Sequence, residues 1–520
     1  MQPQKTTPEE RLPTTEYVGY ALGDTASNLF FQTFGIFLTY FYTDVWGVAP
    51  TAVAFMFFAV RMTDAAADPL IGMMADRTKT RWGKFRPYLL WFAVPYGVTG
   101  YLLFASPQIN PDGFLVHGEQ SAAQALAWIL AKVGFLRSWV ETLFGTVPNL
   151  VQGGKLAYAC LTYGFMMLAY SFINVPYSSM LGVISPSPRT RAVASSYRFV
   201  GAFGGGLLVS LLVRPLVQKL GGGLNEAGKV VNELKGFQTT MAIFAVASMV
   251  LFLISFATTK ERVTPPAGQK SDVKSDLGDL IRNYPWVMLL FAAIFSLTFI
   301  GLRNGTAVYY YKYVAGYDNQ PWITLGALKL DRTTVFLSSG MLFQMLGALS
   351  LSFIARIADK RVLSIFLTFG TAICYGAFYF IPKENFGLQL GINGLGAFCL
   401  GPTSALVWAM YADVADYGEW KFGRRSTGLV YAASLFALKT GTALAGLMLP
   451  ILLMWYGYKA NVAQTEESIH GLILTFSIFP ALVATLKGVM LWLYPLSKAK
   501  VEQIEADLKA RRAASTPAPV

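Results

Sequence analysis

Long apolar runs separated by short polar breaks recur from Tyr17 to Tyr494, and about 20 apolar residues in a helix are enough to cross a bilayer. The pattern predicts roughly twelve transmembrane helices. They run at about 17–46, 51–74, 88–106 and 155–177, then from near Arg198, to near 258, and at 284–314, 334–355, 362–382, 388–412, 426–455 and 471–494. The stretch 259–283, with Pro265, Pro266, Lys270 and Lys274, is the one substantial polar linker, and it separates two halves of six spans. After the second span of the second half, Ala358-Asp359-Lys360-Arg361 echoes Ala75-Asp76-Arg77 of the first. Parallel six-helix halves are a repeat architecture of secondary transporters.

The predicted organisation is an N-terminal tail (1–16), an N-terminal six-helix bundle (17–258), a linker (259–283), a C-terminal six-helix bundle (284–494) and a C-terminal tail (495–520). Within the first bundle, 107–154 reads as an extracytoplasmic insertion. Leu126, Ile129, Leu130, Val133, Val140 and Phe144 keep helical spacing there, while Lys132, Arg137 and Glu141 interrupt the apolarity. That is the pattern of an interfacial amphipathic helix. A thirteenth span would move every later basic loop to the other side of the membrane, against the positive-inside bias.

Composition agrees. Charged residues are 14% of the 520-residue chain, against about 25% in soluble domains, which excludes an ordinary soluble protein. The net charge of +13 would attract nucleic acid in a soluble protein. Here the basic residues gather in alternate loops, such as Arg77, Lys79, Arg81, Lys84 and Arg86, so they report orientation instead. The expectation is an integral, multi-pass protein of a bacterial inner (plasma) membrane with tails and linker cytoplasmic. The polar segment Met1–Thr15 enters the first span directly, so that span serves as its own insertion signal. Cys160, Cys374 and Cys399 fall in apolar runs and form no disulfide or metal pattern. His117 and His470 lie outside the expected core, and there is no metalloprotease, phosphate-loop or nucleophile-elbow signature, so no enzyme is expected.

The chemistry is carried by polar groups inside the apolar runs. Asp64 and Asp68 are one helical turn apart on the second span and project from one side. Each intramembrane charge costs about 2.5–3.5 kcal/mol on insertion scales, so two together imply a use. Ionised together they repel, and a bound proton or Na+ relieves that repulsion, Na+ as a hard cation held by carboxylate oxygens. The alternative is a helix-end pair bonded to nearby backbone or to the basic loop. Lys439, the lone basic residue deep in the eleventh span, is the expected charge partner of the two acids. Asp24, Asn28 and Gln32 recur every four residues and share a stripe on the first span, as Tyr170, Asn174 and Tyr177 do on the fourth. Such groups, with Arg198, are candidates to bind a polyhydroxylated ligand, although membrane tyrosines also serve as interfacial belts. Asp76, Arg77, Arg81, Asp413, Asp416 and Arg424 are assigned to a cytoplasmic gate, with Asp413 to Arg425 read as a charged turn after the tenth span.

The run Asp64-Ala65-Ala66-Ala67-Asp68-Pro69-Leu70-Ile71-Gly72, followed by Arg77-Thr78-Lys79-Thr80-Arg81-Trp82-Gly83-Lys84-Phe85-Arg86-Pro87, resembles the signature of the glycoside-pentoside-hexuronide:cation symporters. Tyr42-Thr43-Asp44, Asn174-Val175-Pro176-Tyr177, Ala412-Asp413-Val414-Ala415-Asp416-Tyr417-Gly418-Glu419 and Lys439 carry the likeness along nearly the whole chain. It implies the all-α major facilitator fold, twelve transmembrane helices in two six-helix bundles. It also implies a secondary symporter that imports a glycoside or small oligosaccharide with Na+ or H+ by alternating access. By the same resemblance Asp64, Asp68 and Ser171 fall on cation-site positions, Lys439 beside both sites, and Tyr170, Asn174 and Arg198 near the sugar. Asn174 replaces an acid of the melibiose permease, and Ala67 and Ser178 replace an asparagine and a tryptophan. The particular sugar and the choice between Na+ and H+ therefore stay open. The coupling ion is the only cofactor expected, and the partners are a sugar, that cation and the bilayer, with no nucleic acid and with the monomer functional. Two other readings are a sodium-coupled lysolipid carrier and a transporter-like receptor or interaction protein whose outside segment binds a partner.

Overall fold

A computed structural model describes residues 12–105, 150–181, 183–185, 188–226, 228–262, 278, 280–316, 321–325, 328–354, 359–423 and 427–515. Among them, α1 is Thr14–Thr33 and continues through π-helical turns at Phe34–Leu38 and Phe41–Val45. Then follow α2 (Pro50–Arg77), α3 (Arg86–Ala105), α4 (Leu150–Met180), α5 (Pro188–Leu220) and α6 (Glu233–Thr258). In the second half α7 is Tyr284–Tyr309, extended by the π turn Tyr310–Val314. A hairpin of β1 (Pro321–Leu325) and β2 (Leu328–Asp331) follows it. Next come α8 (Arg332–Ile354), α9 (Lys360–Ala377), α10 (Phe386–Phe422), α11 (Thr427–Trp455), α12 (Glu466–Leu493, interrupted at Ser477) and α13 (Lys498–Ser515).

Ten of these helices are long and apolar enough to cross a membrane. The first two, α1 and α2, are not among the ten; they carry the polar stripe and the acid pair, which lower their apolarity. With them the described helices before α13 number twelve. The predicted insertion lies outside the described residues up to 149, as do residues 263–277 of the linker.

Several boundaries differ from the hydropathy pattern for physical reasons. Asp413, Asp416 and Glu419 lie on the last turns of α10 and not in a turn. The apolar run ends at Ala412, but the residues beyond it tolerate a helix until Gly423, whose φ of 72° gives the left-handed C-terminal stop. Arg214 follows the apolar run of the fifth span, yet it is not in a loop. It lies on α5, its side chain 6% exposed, and pairs at 2.5 Å with Asp331, which also accepts the Thr334 N–H at the start of α8 at 2.9 Å. The β-hairpin was not foreseen, because Pro321–Asp331 is too short to give a clear alternation.

The chain forms two compact units. The first comprises α1–α6 with residues 307–338 and 446–471, and the second the rest of α7–α13. In the first unit α1 lies against α5 through small residues. A Cβ on Gly201 would come within 2.3 Å of the Ala21 carbonyl oxygen, and one on Gly205 within 2.9 Å of Thr25 O. Thr25 Oγ1 donates to Gly201 O at 3.0 Å. Close backbone approach of this kind is how membrane helices gain packing and hydrogen bonds where lipid offers no hydrophobic drive. In the second unit Leu289, Ala292, Met410, Tyr411, Val414, Val430 and Leu491 form a buried cluster that joins α7, α10, α11 and α12.

Candidate functional site

The first unit brings an acid of α2 to a hydroxyl of α4. Asp64 is 2% exposed and Ser171 is fully buried, and Ser171 Oγ donates to Asp64 Oδ1 at 3.0 Å. Asp68 lies one turn further along α2, as its spacing predicts. Both acids have additional contacts, while Asp64 Oδ2 and Asp68 Oδ1 are buried oxygens outside any hydrogen bond. A buried carboxylate bonded to a neutral hydroxyl, with a second acid one turn away, is a donor set suited to a small hard cation or a proton.

A second polar group of the same unit joins α1, α4 and α5. Arg198 forms a short, charge-assisted bond through Nε to Asp24 Oδ2 and donates from Nη2 to Ser178 Oγ at 3.2 Å. Its guanidinium lies 4.9 Å from the centroid of the Tyr177 ring. The Tyr177 ring in turn packs against Tyr20, with centroids 4.7 Å apart and the planes tilted by 34°, and each tyrosine hydroxyl donates to the other's backbone carbonyl. The stripe of α1 is also real: Asn28 Nδ2 donates to Asp24 O at 2.9 Å, and Gln32 Nε2 to Asn28 Oδ1 at 3.4 Å. Tyr170 stacks on Phe31 with ring centroids 5.9 Å apart, and Asn174 is half-buried on the same helix. The arrangement offers aromatic faces beside paired charges, which is the chemistry that holds the hydroxyls and apolar face of a sugar ring.

Lys439 lies on α11, in the second unit, partly buried. Of the residues assigned to a gate, Asp413 pairs at 3.1 Å with Lys360 at the start of α9. Arg81 is exposed, with its guanidinium 4.5 Å from the centroid of the Trp82 ring. Asp416 is half-buried on α10. The side chains of Asp76 and Arg77, and Arg424 altogether, lie outside the described residues.

Sequence reasoning missed the acids that organise the α2–α3 loop. Glu261 accepts the backbone N–H groups of Lys84, Phe85 and Arg86 at 2.8, 2.7 and 2.8 Å, and so satisfies the first donors of α3. Glu16 accepts both terminal nitrogens of Arg262 at 2.7 Å and the Lys260 N–H at 2.9 Å. Bonding to Glu16 raises the Arg262 pKa above its ordinary value. Gly83 makes this clasp feasible. Its φ is +112°, and a Cβ there would meet the Glu261 carboxylate at 2.6 Å. Gly83→Ala is therefore expected to lower stability by about 1–3 kcal/mol, read as a fall in Tm. An unchanged Tm would contradict the clasp.

Asp44 was also undervalued. Its carboxylate accepts Thr43 Oγ1 at 2.8 Å, Lys312 Nζ at 3.0 Å, Tyr458 Oη at 2.6 Å and a short bond from the Tyr313 hydroxyl. Asn461 Nδ2 reaches Asp44 O at 2.6 Å, and Thr43 Oγ1 lies 2.7 Å from the Tyr309 hydroxyl. The end of α1 is thus tied to residues 309–313 and 458–461, all within the first unit. The Asp44 side chain is fully buried and that of Lys312 11% exposed. Asp44→Asn would leave Lys312 uncompensated, at a cost of about 3–5 kcal/mol. Thermal unfolding should show that loss, with substantial recovery in Asp44→Asn/Lys312→Met; no recovery would mean the charge pair is not its source.

With this geometry in place, comparison with known proteins is informative. The model of the MFS/sugar transport protein family matches residues 19–141 and 124–498. The chain belongs to this family. It is 32% identical over 506 residues to the putative glycoside/cation symporter YagG of Escherichia coli (strain K12), covering 97% of this chain and 96% of that protein. It is 30% identical over 520 residues to the isoprimeverose transporter of Lactiplantibacillus pentosus, with coverage of 98% and 95%. Among solved structures, a D-xylose-proton symporter superposes with a TM-score of 0.57 at 12% identity, covering 93% of this chain and 97% of that one. That likeness concerns the fold, which is the major facilitator fold expected from the sequence. The chain is therefore a member of a family of multi-span membrane sugar transporters.

Proposed function

We propose that the chain imports a glycoside or small oligosaccharide together with Na+ or H+ by alternating access, and that it does so as a monomer. Asp64, with Ser171 and Asp68, holds the coupling ion; Lys439 is the charge partner that lets go when the ion arrives. Asp24, Asn28, Gln32, Tyr170, Asn174, Tyr177 and Arg198 contact the sugar. The observation that carries this reading is the buried Asp64–Ser171 bond at 3.0 Å, which assembles a cation donor set from two helices of one bundle. The likeness to a putative glycoside/cation symporter and to an isoprimeverose transporter supports a carbohydrate cargo. The basic loop from Arg77 to Arg86 supports a cytoplasmic location for that end and for both termini, in an inner membrane.

The energetics suffice. One charge crossing 100 mV supplies about 2.3 kcal/mol, and a tenfold cation gradient adds about 1.4. Together these support roughly several-hundred-fold accumulation at one-to-one coupling. The test is uptake of labelled glycosides into right-side-out vesicles under an imposed Na+ gradient, an imposed pH gradient or neither. Accumulation under one of the gradients is expected. Uptake that ignores both would remove coupling from the reading.

A further inference from the structure

In the second unit, α12 carries Lys487 into an apolar core. Its side chain is 1% exposed, and the residue sits one turn beyond Ala484, in the cluster formed with Phe299, Ala372, Tyr375 and Leu400. Nζ donates to Ser296 Oγ of α7 at 3.1 Å and to Thr403 Oγ1 of α10 at 3.3 Å, and lies 5.7 Å from the Phe299 ring centroid. Both partners are neutral, and among the described residues Lys487 forms no ion pair. An ammonium has three donors and no acceptor, so one N–H of this buried side chain lacks a protein acceptor among the described residues. Buried charges are otherwise paired or neutralised, because an isolated one is strongly disfavoured in low dielectric.

The hydroxyls complete the picture. Thr403 Oγ1 commits its own proton to Leu400 O at 2.8 Å. Ser296 Oγ accepts from Lys487, and its proton goes to no acceptor among the described residues. Ser296 itself is partly exposed. Two unspent donors, one on a cation and one on a hydroxyl, flanked by an aromatic ring, are complementary to a small monovalent anion.

We propose that Lys487 and Ser296 bind a monovalent anion, either a halide or the carboxylate or sulfonate of an organic solute, which supplies the counter-charge that Lys487 lacks among the described residues. The proposal stands independently of sugar transport, because binding is read on the protein itself. Purified full-length protein is unfolded thermally in a sodium sulfate and Tris sulfate background, whose anion is divalent, while sodium chloride, sodium glucuronate or uncharged xylose is titrated at constant Na+, pH and ionic strength. At ligand tenfold above half-saturation, the wild type should gain about 1–3 °C in Tm. The gain should vanish in Lys487→Met, and half-saturation should rise at least about threefold in Ser296→Ala, a variant that removes one donor. A response to chloride assigns the site to a halide. A response to glucuronate without one to chloride or xylose assigns it to the acidic group of a solute. Equal shifts in wild type and Lys487→Met, or in wild type and Ser296→Ala should the first variant not fold, overturn the proposal. No saturable shift with either anion overturns it as well.

Discussion

Asp64→Asn is expected to abolish concentrative sugar uptake while leaving the protein folded. Asparagine has the shape of aspartate and keeps an oxygen where Oδ1 accepts the Ser171 hydroxyl at 3.0 Å, so the bond between α2 and α4 survives. What disappears is the negative charge on a side chain that is 2% exposed, and with it the attraction for a cation in a low-dielectric site. Without ion binding, sugar entry gains nothing from the cation gradient. Steady-state accumulation should fall from the roughly several-hundred-fold ceiling set by one coupled charge to about one-fold. Exchange of labelled for unlabelled sugar at equal concentrations should persist, because it needs no gradient. Measured uptake and exchange in vesicles separate the two. Undiminished accumulation would remove Asp64 from the coupling site, and loss of exchange as well would point to a damaged fold.

The second large effect is expected at Asp24 and Arg198. This pair is linked by a short charge-assisted bond, with side-chain exposures of 10% and 24%, and Arg198 abuts Tyr177, whose ring packs tilted against that of Tyr20. Neutralising one member leaves the other charge without its partner, which costs about 3–5 kcal/mol when such a pair is buried. The Arg198 contact with Ser178 at 3.2 Å cannot offset that, because a hydroxyl brings no compensating charge. Asp24→Asn and Arg198→Gln should therefore each lower Tm and weaken sugar affinity by roughly 10- to 100-fold, the scale of a lost charged hydrogen bond. The double variant should recover stability but not affinity. Binding measured on purified protein checks the affinity, and thermal unfolding checks the rest. A double variant with wild-type affinity would make the pair purely architectural.

The legible parts of this protein were those where burial is expensive. Asp64 and Asp68 stood out because carboxylates in an apolar run carry an insertion cost, and the four-residue spacing placed them on one side of α2. The twelve-span pattern was legible for the same reason. Partnerships across the chain were not. Asp24 and Arg198 are 174 positions apart, and periodicity says nothing about which helices meet; Ser171 was reached only through family resemblance. Asp44 and Glu261 sit at the ends of apolar runs, where an acid is cheap and raises no signal. Yet Asp44 gathers two tyrosines, a lysine and a threonine, and Glu261 gathers three backbone N–H groups. Gly83 was the available hint for Glu261, since a glycine inside a basic loop invites the question of what approaches its backbone. Lys487 carried the same signal as Lys439, a lone cation in an apolar run, and was overlooked because no expected acid called for it.

The central claim is that ion binding at Asp64 and sugar binding are energetically linked. Linkage is reciprocal, so the ion must change sugar affinity by the factor by which sugar changes ion affinity. Calorimetric titration of a transported glycoside into purified protein, with and without saturating Na+ and across pH, tests it directly. The account predicts that sugar affinity rises at least about fivefold with one of the two cations in the wild type, and that the rise is absent in Asp64→Asn. The same cation dependence in both proteins would contradict it.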